Sequence, residues 1–254
     1  MDLVRNALGM GINLIDTSEY YGTETLVGRA IRTVPRETLV LSSKKLVWEG
    51  KRRITPRMLR AGLQASLRRL GTGYMDIYHL HGVRPKDYGY AAETLQPELS
   101  RLKDEGKIRC AGISEHYSED PRHQMLQQAV ADDCWDVVML GFGLTNSTAR
   151  ERVLPAAMAR GTSVLAMAAA SRSSRDDRRR LQFLVHADGA TSLTDAAYRY
   201  CAHEPGIHSV LFGTGNARHL EENIASGLRP VLPESDLARL RRMRFDVNVD
   251  AGQL

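Results

Sequence analysis

Four side chains that can exchange protons follow predicted strands in the first third of the sequence. Asp16 ends the segment INLID, Lys44 follows LVLSS, and His81 follows MDIYHL. Tyr21 lies in the turn after Asp16. Groups of these types act as general acids and bases when they converge on one site. The four together indicate a site for acid–base chemistry at one edge of a sheet.

Each of these residues alone has an ordinary structural explanation. A carboxylate after a strand is usually a helix cap. Lys44, in SSKK, could be half of a solvated pair, and His81 could be a satisfied core histidine, as could His79 two residues earlier. The combination favours the functional interpretation, because Asp, Tyr, Lys and His at the ends of consecutive strands are hard to obtain as unrelated caps.

The elements that would position these residues alternate between strand and helix along the whole chain. The segment from Thr55 to Gly71 predicts a helix with Thr55 as N-cap, Pro56 at the first position and Gly71 as the stop. Continuously apolar strands separated by helices predict a parallel sheet covered on both faces. The predicted strands are INLID, TLVLSS, MDIYHL, RCAGIS, DVVML, SVLAM and SVLFG.

The strand count bears on the fold class. A closed (β/α)8 barrel needs eight strands, and the sequence predicts seven, because it opens with the helix-like segment MDLVRNALGMG. We therefore expect one α/β domain over residues 1–254, a TIM-type barrel that lacks its first strand, with a doubly wound sheet as the alternative. A late start site and a true open variant both explain the missing strand. An unpaired sheet edge there would favour association into an oligomer.

Composition and charge exclude several classes of protein. With 254 residues and 43% hydrophobic residues, the chain can bury an ordinary core. The net charge of +5 is modest, and the basic run SRSSRDDRRR, residues 171–180, has no interleaved aromatic residues, so we expect a solvated loop and no nucleic-acid partner. No window is long enough to span a membrane. Three cysteines without a CxxC pair predict reduced thiols, a cytoplasmic protein and no metal site.

Several longer segments resemble motifs of the aldo-keto reductase family. GINLIDTSEYYGTETLVGRAI is similar to the family signature, in which a strand ends in Asp-Thr and Tyr-Gly follows. LVLSSKK resembles its Ser/Thr-Lys strand and GYMDIYHLHG its Asp-x-x-x-x-His strand. LSRLKDEGKIRCAGIS and GTGNARHLEENI resemble later family segments, so the resemblance covers nearly the whole chain. Within the family, the branch that contains L-galactose dehydrogenase is the one that the segments TSEYYGTET and GLTNST resemble.

The resemblance implies that a nicotinamide passes hydride to or from an aldehyde or ketone, with sugar-like compounds among the candidate substrates, and that the protein supplies a proton. Tyr21 would be the proton donor, with Tyr20 packed beside it. A cation about 4 Å from the phenol at an effective dielectric of about 20 gives roughly 4 kcal/mol, so we expect Lys44 to lower the pKa of Tyr21 by up to roughly three units. Asp16 would keep Lys44 protonated. His81, neutral, would donate a hydrogen bond to the substrate carbonyl.

The resemblance also implies a cofactor-binding segment. Backbone amides at Gly213 and Thr214 would take a cofactor phosphate at a helix N-terminus. A cation at Arg218 or His219 would contact the 2′-phosphate, which favours NADP (NADPH) with NAD as the second candidate. The full set of expected cofactor-binding residues is Ser114, Gly213, Thr214, Arg218, His219, Glu222 and Asn223. An ordinary amphipathic helix with a solvated Glu222 is the structural alternative.

Some positions depart from the family pattern and sustain a rival hypothesis. Ser114 is followed by Glu115 where the family has Asn, and Met139 and Met167 stand where Gln and an aromatic residue are usual. These changes support a cofactor-binding scaffold protein of low or no activity as the alternative, and the intact Asp16, Tyr21, Lys44 and His81 oppose it. A third hypothesis is a metal-dependent barrel hydrolase. Asp and His at strand ends favour it, but the sequence lacks the second carboxylate–histidine set that such an enzyme would need. The sequence does not specify the substrate.

Overall fold

The computed structural model describes residues 1–170 and 174–246. The chain divides into two compact units, unit 1 with Met1–His116 and Gln124–Val138, and unit 2 with Tyr117–His123 and Met139–Leu254. The α-helices of the described residues are α1 (Asp2–Gly9), α2 (Glu24–Ile31), α3 (Pro56–Leu70), α4 (Pro85–Tyr90), α5 (Gln96–Asp104), α6 (Gln124–Ala131), α7 (Ala149–Arg160), α8 (Arg175–Leu181), α9 (Leu193–Ala202), α10 (Ala217–Leu228) and α11 (Glu234–Arg242).

The strands confirm the α/β class and all seven predicted positions. They are β1 (Leu14–Asp16), β2 (Val40–Leu46), β3 (Trp48–Glu49), β4 (Arg52–Arg53), β5 (Met75–Val83), β6 (Ile108–Glu115), β7 (Val137–Gly141), β8 (Ser163–Met167) and β9 (Ser209–Val210). In unit 1 the sheet order is β1-β2-β5-β6-β7, and in unit 2 it is β7-β8-β9, because β7 contributes residues to both units. Seven sheet strands with helices between them follow the pattern of the (β/α)8 barrel. A single domain over residues 1–254 stays a prediction.

Parallel pairing fixes which side chains share a face of the sheet. Asp16 pairs with Ser42 between β1 and β2, and Lys44 pairs with His79 between β2 and β5. His79 in turn pairs with Gly112 of β6. Register partners in neighbouring strands project to the same side, so Lys44, His79 and Gly112 form one row across unit 1.

Helix α3 begins and ends at the residues that the sequence predicts, because both ends are set by local interactions. Thr55 Oγ1 accepts a hydrogen bond from the Met58 amide, 3.3 Å away, and Gly71 has the left-handed φ of 69° that ends the helix. Its apolar side packs against α2 and β2. The buried residues of this side are Leu59, Leu63, Leu67 and Leu70.

One element was not predicted, and one expectation about an irregular segment was wrong. The hairpin of β3 and β4 is the element not predicted; Arg53 holds it in place by pairing with Asp87 at 2.9 Å and lying over the Trp48 ring. The basic run was expected to be a loop, but Arg175–Leu181 is helical because Ser174 Oγ caps it by accepting from the Asp177 amide. Residues 171–173 of that run lie outside the described residues. No helix among the described residues has the length and apolar character required to cross a membrane.

Candidate active site

Asp16 and Lys44 form a largely buried ion pair between neighbouring strands. Lys44 Nζ donates a hydrogen bond to Asp16 Oδ2 and another to the Thr17 carbonyl, 2.9 Å away. Ser42 Oγ donates to Asp16 Oδ1 at 2.7 Å. The Lys44 side chain is only 1% exposed, so these oxygen atoms replace the water that its ammonium has lost.

A short 3₁₀ turn, Glu19–Tyr21, sets the position of Tyr21. Ser18 starts the turn by accepting a hydrogen bond from the Tyr20 amide at 3.2 Å. Gly22 ends it in the left-handed region, with φ of 69°, where a residue without Cβ is favoured. Tyr20 was expected to pack, but it is 72% exposed.

Tyr21 lies against both His81 and Lys44. Its hydroxyl is 3.4 Å from His81 Nε2, and the two rings meet edge to face with centroids 5.6 Å apart. Lys44 Nζ is 5.1 Å from the centroid of the Tyr21 ring. The structure therefore brings Asp16, Tyr21, Lys44 and His81 together within unit 1.

Ser18 determines the hydrogen bonding of the His81 ring. Ser18 Oγ donates to the Lys44 carbonyl at 3.3 Å and lies 3.2 Å from His81 Nδ1. When its proton is on the Lys44 side, His81 Nδ1 donates to Ser18, and His81 Nε2 accepts from the Tyr21 hydroxyl. When the Ser18 hydroxyl turns toward Nδ1, Nε2 carries the proton and becomes a donor.

The expected lowering of the Tyr21 pKa was wrong. Burial, followed by the negative charge of Asp16, raises the pKa of Tyr21 to about 12. The physical reason is that Asp16 neutralises Lys44, so the phenol faces an ion pair instead of an isolated cation, and loss of hydration then dominates.

Burial also controls the basic groups of the site. It lowers the pKa of Lys44, and the charge and hydrogen bond of Asp16 act in the opposite direction. It lowers the pKa of His81 to about 4, and electrostatic interactions with Lys44 and His116 lower it further. This agrees with the expectation of a neutral His81 at pH 7.

His79 lies in the same row as Lys44 and is fully buried. Neither of its ring nitrogens has a hydrogen-bond partner among the described residues, and burial lowers its pKa well below the usual range. A Cβ at Gly112 would come within 2.3 Å of His79 Nδ1. Glycine at position 112 therefore makes room for this ring.

Ser114, expected to bind the cofactor, uses its hydroxyl within the sheet of unit 1. Its Oγ accepts a hydrogen bond from the Gly82 amide at 2.9 Å and donates to the Leu80 carbonyl at 3.5 Å. The longer bond is weak. The hydroxyl proton of Ser114 is therefore only loosely held.

The remaining expected cofactor residues lie together in unit 2, around the start of α10. Asn216 caps this helix by accepting from the Arg218 amide at 2.8 Å. Arg218 is 83% exposed and pairs with Glu222 at 2.8 Å. Asn223 is buried on the other side of the helix, and His219 is exposed.

These residues fit a phosphate-bearing cofactor. Nothing lies within 4 Å of the Cβ that would be added at Gly213 or Gly215, so their backbone is open to approach. Thr214 Oγ1 holds this loop by accepting from the Asn216 amide at 3.1 Å. The first amides of a helix have no partner within the helix and attract anions. The Arg218–Glu222 pair uses Nε of the guanidinium, so Arg218 can contact a phosphate through its other donors.

The sequence analysis missed three residues that hold the site together through a hydroxyl or a backbone carbonyl group. Ser18 orients His81, Ser42 holds Asp16, and the Thr17 carbonyl accepts from Lys44. The motif DTS was a signal for the first, because Ser is favoured before a turn of helix, as its cap. Among the described residues, no group of three or more His, Cys, Asp or Glu side chains could hold a metal ion.

Comparison with known proteins places the whole arrangement in one family. The model of the aldo/keto reductase family matches residues 1–244. NADH-specific methylglyoxal reductase of Escherichia coli (strain K12) is 32% identical over 173 residues, which are 61% of this chain. The matched segment spans about half, 51%, of that curated relative.

Solved structures share the fold. An aldo-keto reductase of Bacillus halodurans in its holo form has a TM-score of 0.79 at 20% identity, covering 98% of this chain and 89% of that one, which shows the fold alone. An aldo/keto reductase of Klebsiella pneumoniae in complex with NADP and acetate has a TM-score of 0.75 at 26% identity, covering 95% and 83%. The L-galactose dehydrogenase branch stays a prediction. With the family model matched over nearly its entire length, the chain belongs to the aldo/keto reductase family.

Proposed function

We propose that the protein reduces an aldehyde or ketone to the alcohol, or catalyses the reverse reaction, with a nicotinamide cofactor and with Tyr21 as proton donor. The observation that supports this most directly is the position of the Tyr21 hydroxyl, 3.4 Å from His81 Nε2, with the Asp16–Lys44 pair against its ring. Family membership supports oxidoreductase chemistry on carbonyl compounds.

Each of the four side chains of the site has a separate role in the transfer of one proton to the substrate. As the carbonyl oxygen gains negative charge, the Tyr21 hydroxyl donates its proton to that oxygen, and the alcohol forms. His81, with its proton on Nε2, donates a hydrogen bond to the same oxygen and fixes its angle. Asp16 holds the Lys44 ammonium beside the phenol, where its positive charge stabilises the phenolate left behind.

The raised pKa of Tyr21 is compatible with this role. A phenol with a pKa of about 12 is protonated throughout the neutral range. It remains a stronger acid than an alcohol, whose pKa is close to that of water and therefore higher still. Proton transfer to the forming alkoxide is therefore downhill, and Lys44 has to stabilise the phenolate only transiently.

The nicotinamide would supply or accept the hydride. The residues of unit 2 proposed to bind its dinucleotide are Gly213 and Thr214 through their backbone, the amides of the first turn of α10, and Arg218, His219, Glu222 and Asn223. Arg218 and His219 carry or can carry positive charge near that helix start, which supports NADP as the preferred cofactor. NAD is the second candidate, because the E. coli relative is NADH-specific by name.

Replacement of Tyr21 by Phe tests the proposal. In Tyr21→Phe the ring and its packing remain and the proton is removed, so we expect reduction of methylglyoxal with NADPH to fall at least about a thousandfold, within the range that acid–base catalysis contributes. Cofactor affinity, measured by fluorescence titration with NADPH and NADH, should change less than about twofold, a difference below about 0.5 kcal/mol.

Tyr20→Phe is the matched control, because it removes the neighbouring, exposed phenol. This variant should keep the activity of the wild type. Full turnover by Tyr21→Phe, or equal losses in both variants, would refute the assignment of Tyr21 as the proton donor.

A second candidate function is cofactor binding with little or no turnover, as in a regulatory scaffold. It is supported by the departures at Glu115, Met139 and Met167, of which Met139 is 2% exposed and cannot replace an amide that hydrogen-bonds. The same titration and assay separate the two candidates. Wild-type protein that binds NADPH without oxidising it in the presence of methylglyoxal or a sugar-like aldehyde would favour the scaffold.

A further inference from the structure

Unit 1 contains a cavity at the opposite end of its strands from the Tyr21 site. The cavity has a volume of about 480 Å³ and lies between the C-terminal ends of α2 and α3, within the size range of small-molecule sites. Leu39, just before β2, lines it. Lys44 is five residues further along, which is roughly 16 Å at about 3.3 Å per residue.

The lining of this cavity is strongly basic. Its described lining residues include four arginines, Arg29, Arg32, Arg36 and Arg69, and no aspartate or glutamate. Concave surfaces lined by one sign of charge concentrate counter-ions. The cavity therefore favours an anion.

Two of the four arginines are held in place by carboxylates behind the lining. Arg36 Nη2 pairs with Asp76 at 2.6 Å, and Arg69 Nε pairs with Glu24 at 2.6 Å. Glu24 and Asp76 are both nearly fully buried. These pairs fix the guanidinium groups before any ligand arrives.

The other two arginines have no such partner. Arg29 and Arg32 are exposed at the end of α2, and neither side chain makes an ion pair or hydrogen bond among the described residues. Asp76 is shared with a third guanidinium, that of Arg109, at 3.0 Å. Five guanidinium groups face two carboxylates here, which leaves an excess of three positive charges.

An aromatic ring adds rigidity to the cavity. The Tyr74 ring lies between Arg36 and Arg109, whose guanidinium carbons are 3.9 and 4.8 Å from its centroid. Buried Ile31 and Leu70 complete an apolar part of the lining. Guanidinium groups held in fixed positions lose little entropy when they bind an oxyanion.

We propose that this cavity binds a small molecule carrying a phosphate group, with Arg29 and Arg32 as the groups that contact the phosphate. A guanidinium presents several donors in a fork that matches the oxygen atoms of phosphate. Two unpaired guanidinium groups one helical turn apart can contact a doubly charged anion from two sides. Carboxylates share this chemistry in part, so the test includes both anions. The proposal is independent of the reductase function.

Calorimetric titration with sodium pyrophosphate tests the site. The full chain would be titrated at a constant ionic strength of about 0.1 M, where exposed charges are screened beyond about 10 Å. In the double variant Arg29→Gln/Arg32→Gln we expect the affinity for pyrophosphate to fall at least tenfold. Citrate, as the carboxylate probe, should bind more weakly than pyrophosphate.

A control variant separates this site from other causes. Arg5→Gln/Arg57→Gln removes the same charge from exposed positions outside the lining. It should keep the pyrophosphate affinity of the wild type. The proposal is overturned if wild type binds no pyrophosphate at millimolar concentration, or if this control loses as much affinity as Arg29→Gln/Arg32→Gln.

The alternative explanation for Arg29 and Arg32 is stabilisation of the helix C-terminus, where positive charge is favourable. On that account the double variant has a lower melting temperature and unchanged pyrophosphate affinity. That result would also overturn the proposal. A stronger affinity for citrate than for pyrophosphate would assign the site to carboxylates instead.

Discussion

The Ser18 hydroxyl is bonded on three sides, and this fixes what the neighbouring imidazole can do. It accepts from the Tyr20 amide, donates to the Lys44 carbonyl and contacts His81 Nδ1, all between 3.2 and 3.3 Å. Rotation of one O–H bond therefore changes which tautomer of His81 is favoured, without moving a heavy atom. We infer that Ser18 is a positioning residue, which acts through His81.

Removal of the Ser18 hydroxyl should slow the proposed reaction. In Ser18→Ala, His81 Nδ1 loses its partner, and a lost neutral hydrogen bond of about 1.4 kcal/mol corresponds to about a tenfold lower kcat. KM for methylglyoxal should change less than about threefold, since that corresponds to less than about 1 kcal/mol. ¹⁵N NMR of the His81 ring should show an altered ratio of tautomers.

Ser66→Ala provides the control for that experiment, because Ser66 is equally buried in unit 1 and contacts Arg69 instead of His81. It should leave kcat and the His81 spectrum unchanged. An unchanged tautomer ratio in Ser18→Ala would show that Ser18 does not position His81.

At the scale of the elements, three neighbouring strands supply one row of residues beneath the candidate site. Lys44 of β2, His79 of β5 and Gly112 of β6 are register partners. The row holds together because a large ring occupies the space that the glycine leaves free. Close packing of this kind makes even one added methyl group costly.

Gly112→Ala should destabilise the protein. The new Cβ would lie 2.3 Å from His79 Nδ1, so we expect the free energy of unfolding in urea to fall by about 2 kcal/mol, typical of overpacking. In Gly112→Ala/His79→Ala the clash is removed, and the two changes should couple by about 1 kcal/mol or more.

Gly73→Ala is the matched control for Gly112→Ala, because nothing lies within 4 Å of its added Cβ. It should change the unfolding free energy by less than about 0.5 kcal/mol. Additive effects of Gly112→Ala and His79→Ala would contradict the packing of His79 against Gly112.

At the scale of the whole molecule, buried histidines connect the site to global stability. The folded protein keeps His81 neutral down to a pKa of about 4, whereas an unfolded chain protonates histidine near pH 6.5. Below that pH the unfolded state binds a proton that the folded state does not. Stability is therefore lost as the pH falls, and His79, whose pKa is also lowered, acts in the same direction.

Acid titration of stability should show this contribution. Between pH 7 and pH 4.5, His81 alone should lower the free energy of unfolding by about 2–3 kcal/mol. His81→Gln cannot take up the proton, so its stability should fall less over the same range by about that amount. Parallel curves for wild type and His81→Gln in urea unfolding at several pH values would contradict the lowered pKa.

The order of the strands along the chain and the approximate location of the candidate catalytic groups could be predicted from the sequence alone. Asp16, Lys44 and His81 follow apolar strands, and parallel strands present their C-terminal ends at one edge, so their convergence could be predicted without coordinates. The limits of α3 were also predictable, because Thr55 and Gly71 act through local backbone geometry.

The protonation and pairing of those groups could not be predicted from the sequence, because they depend on the folded environment. Distances between side chains and their burial determine three features of the protein. They raise the pKa of Tyr21, they pair the charge of Arg218 with that of Glu222, and they leave Arg29 and Arg32 without an ion-pair partner among the described residues. Electrostatic energies change several-fold with separation and solvent exposure. Residue types and their spacing along the chain fix neither quantity.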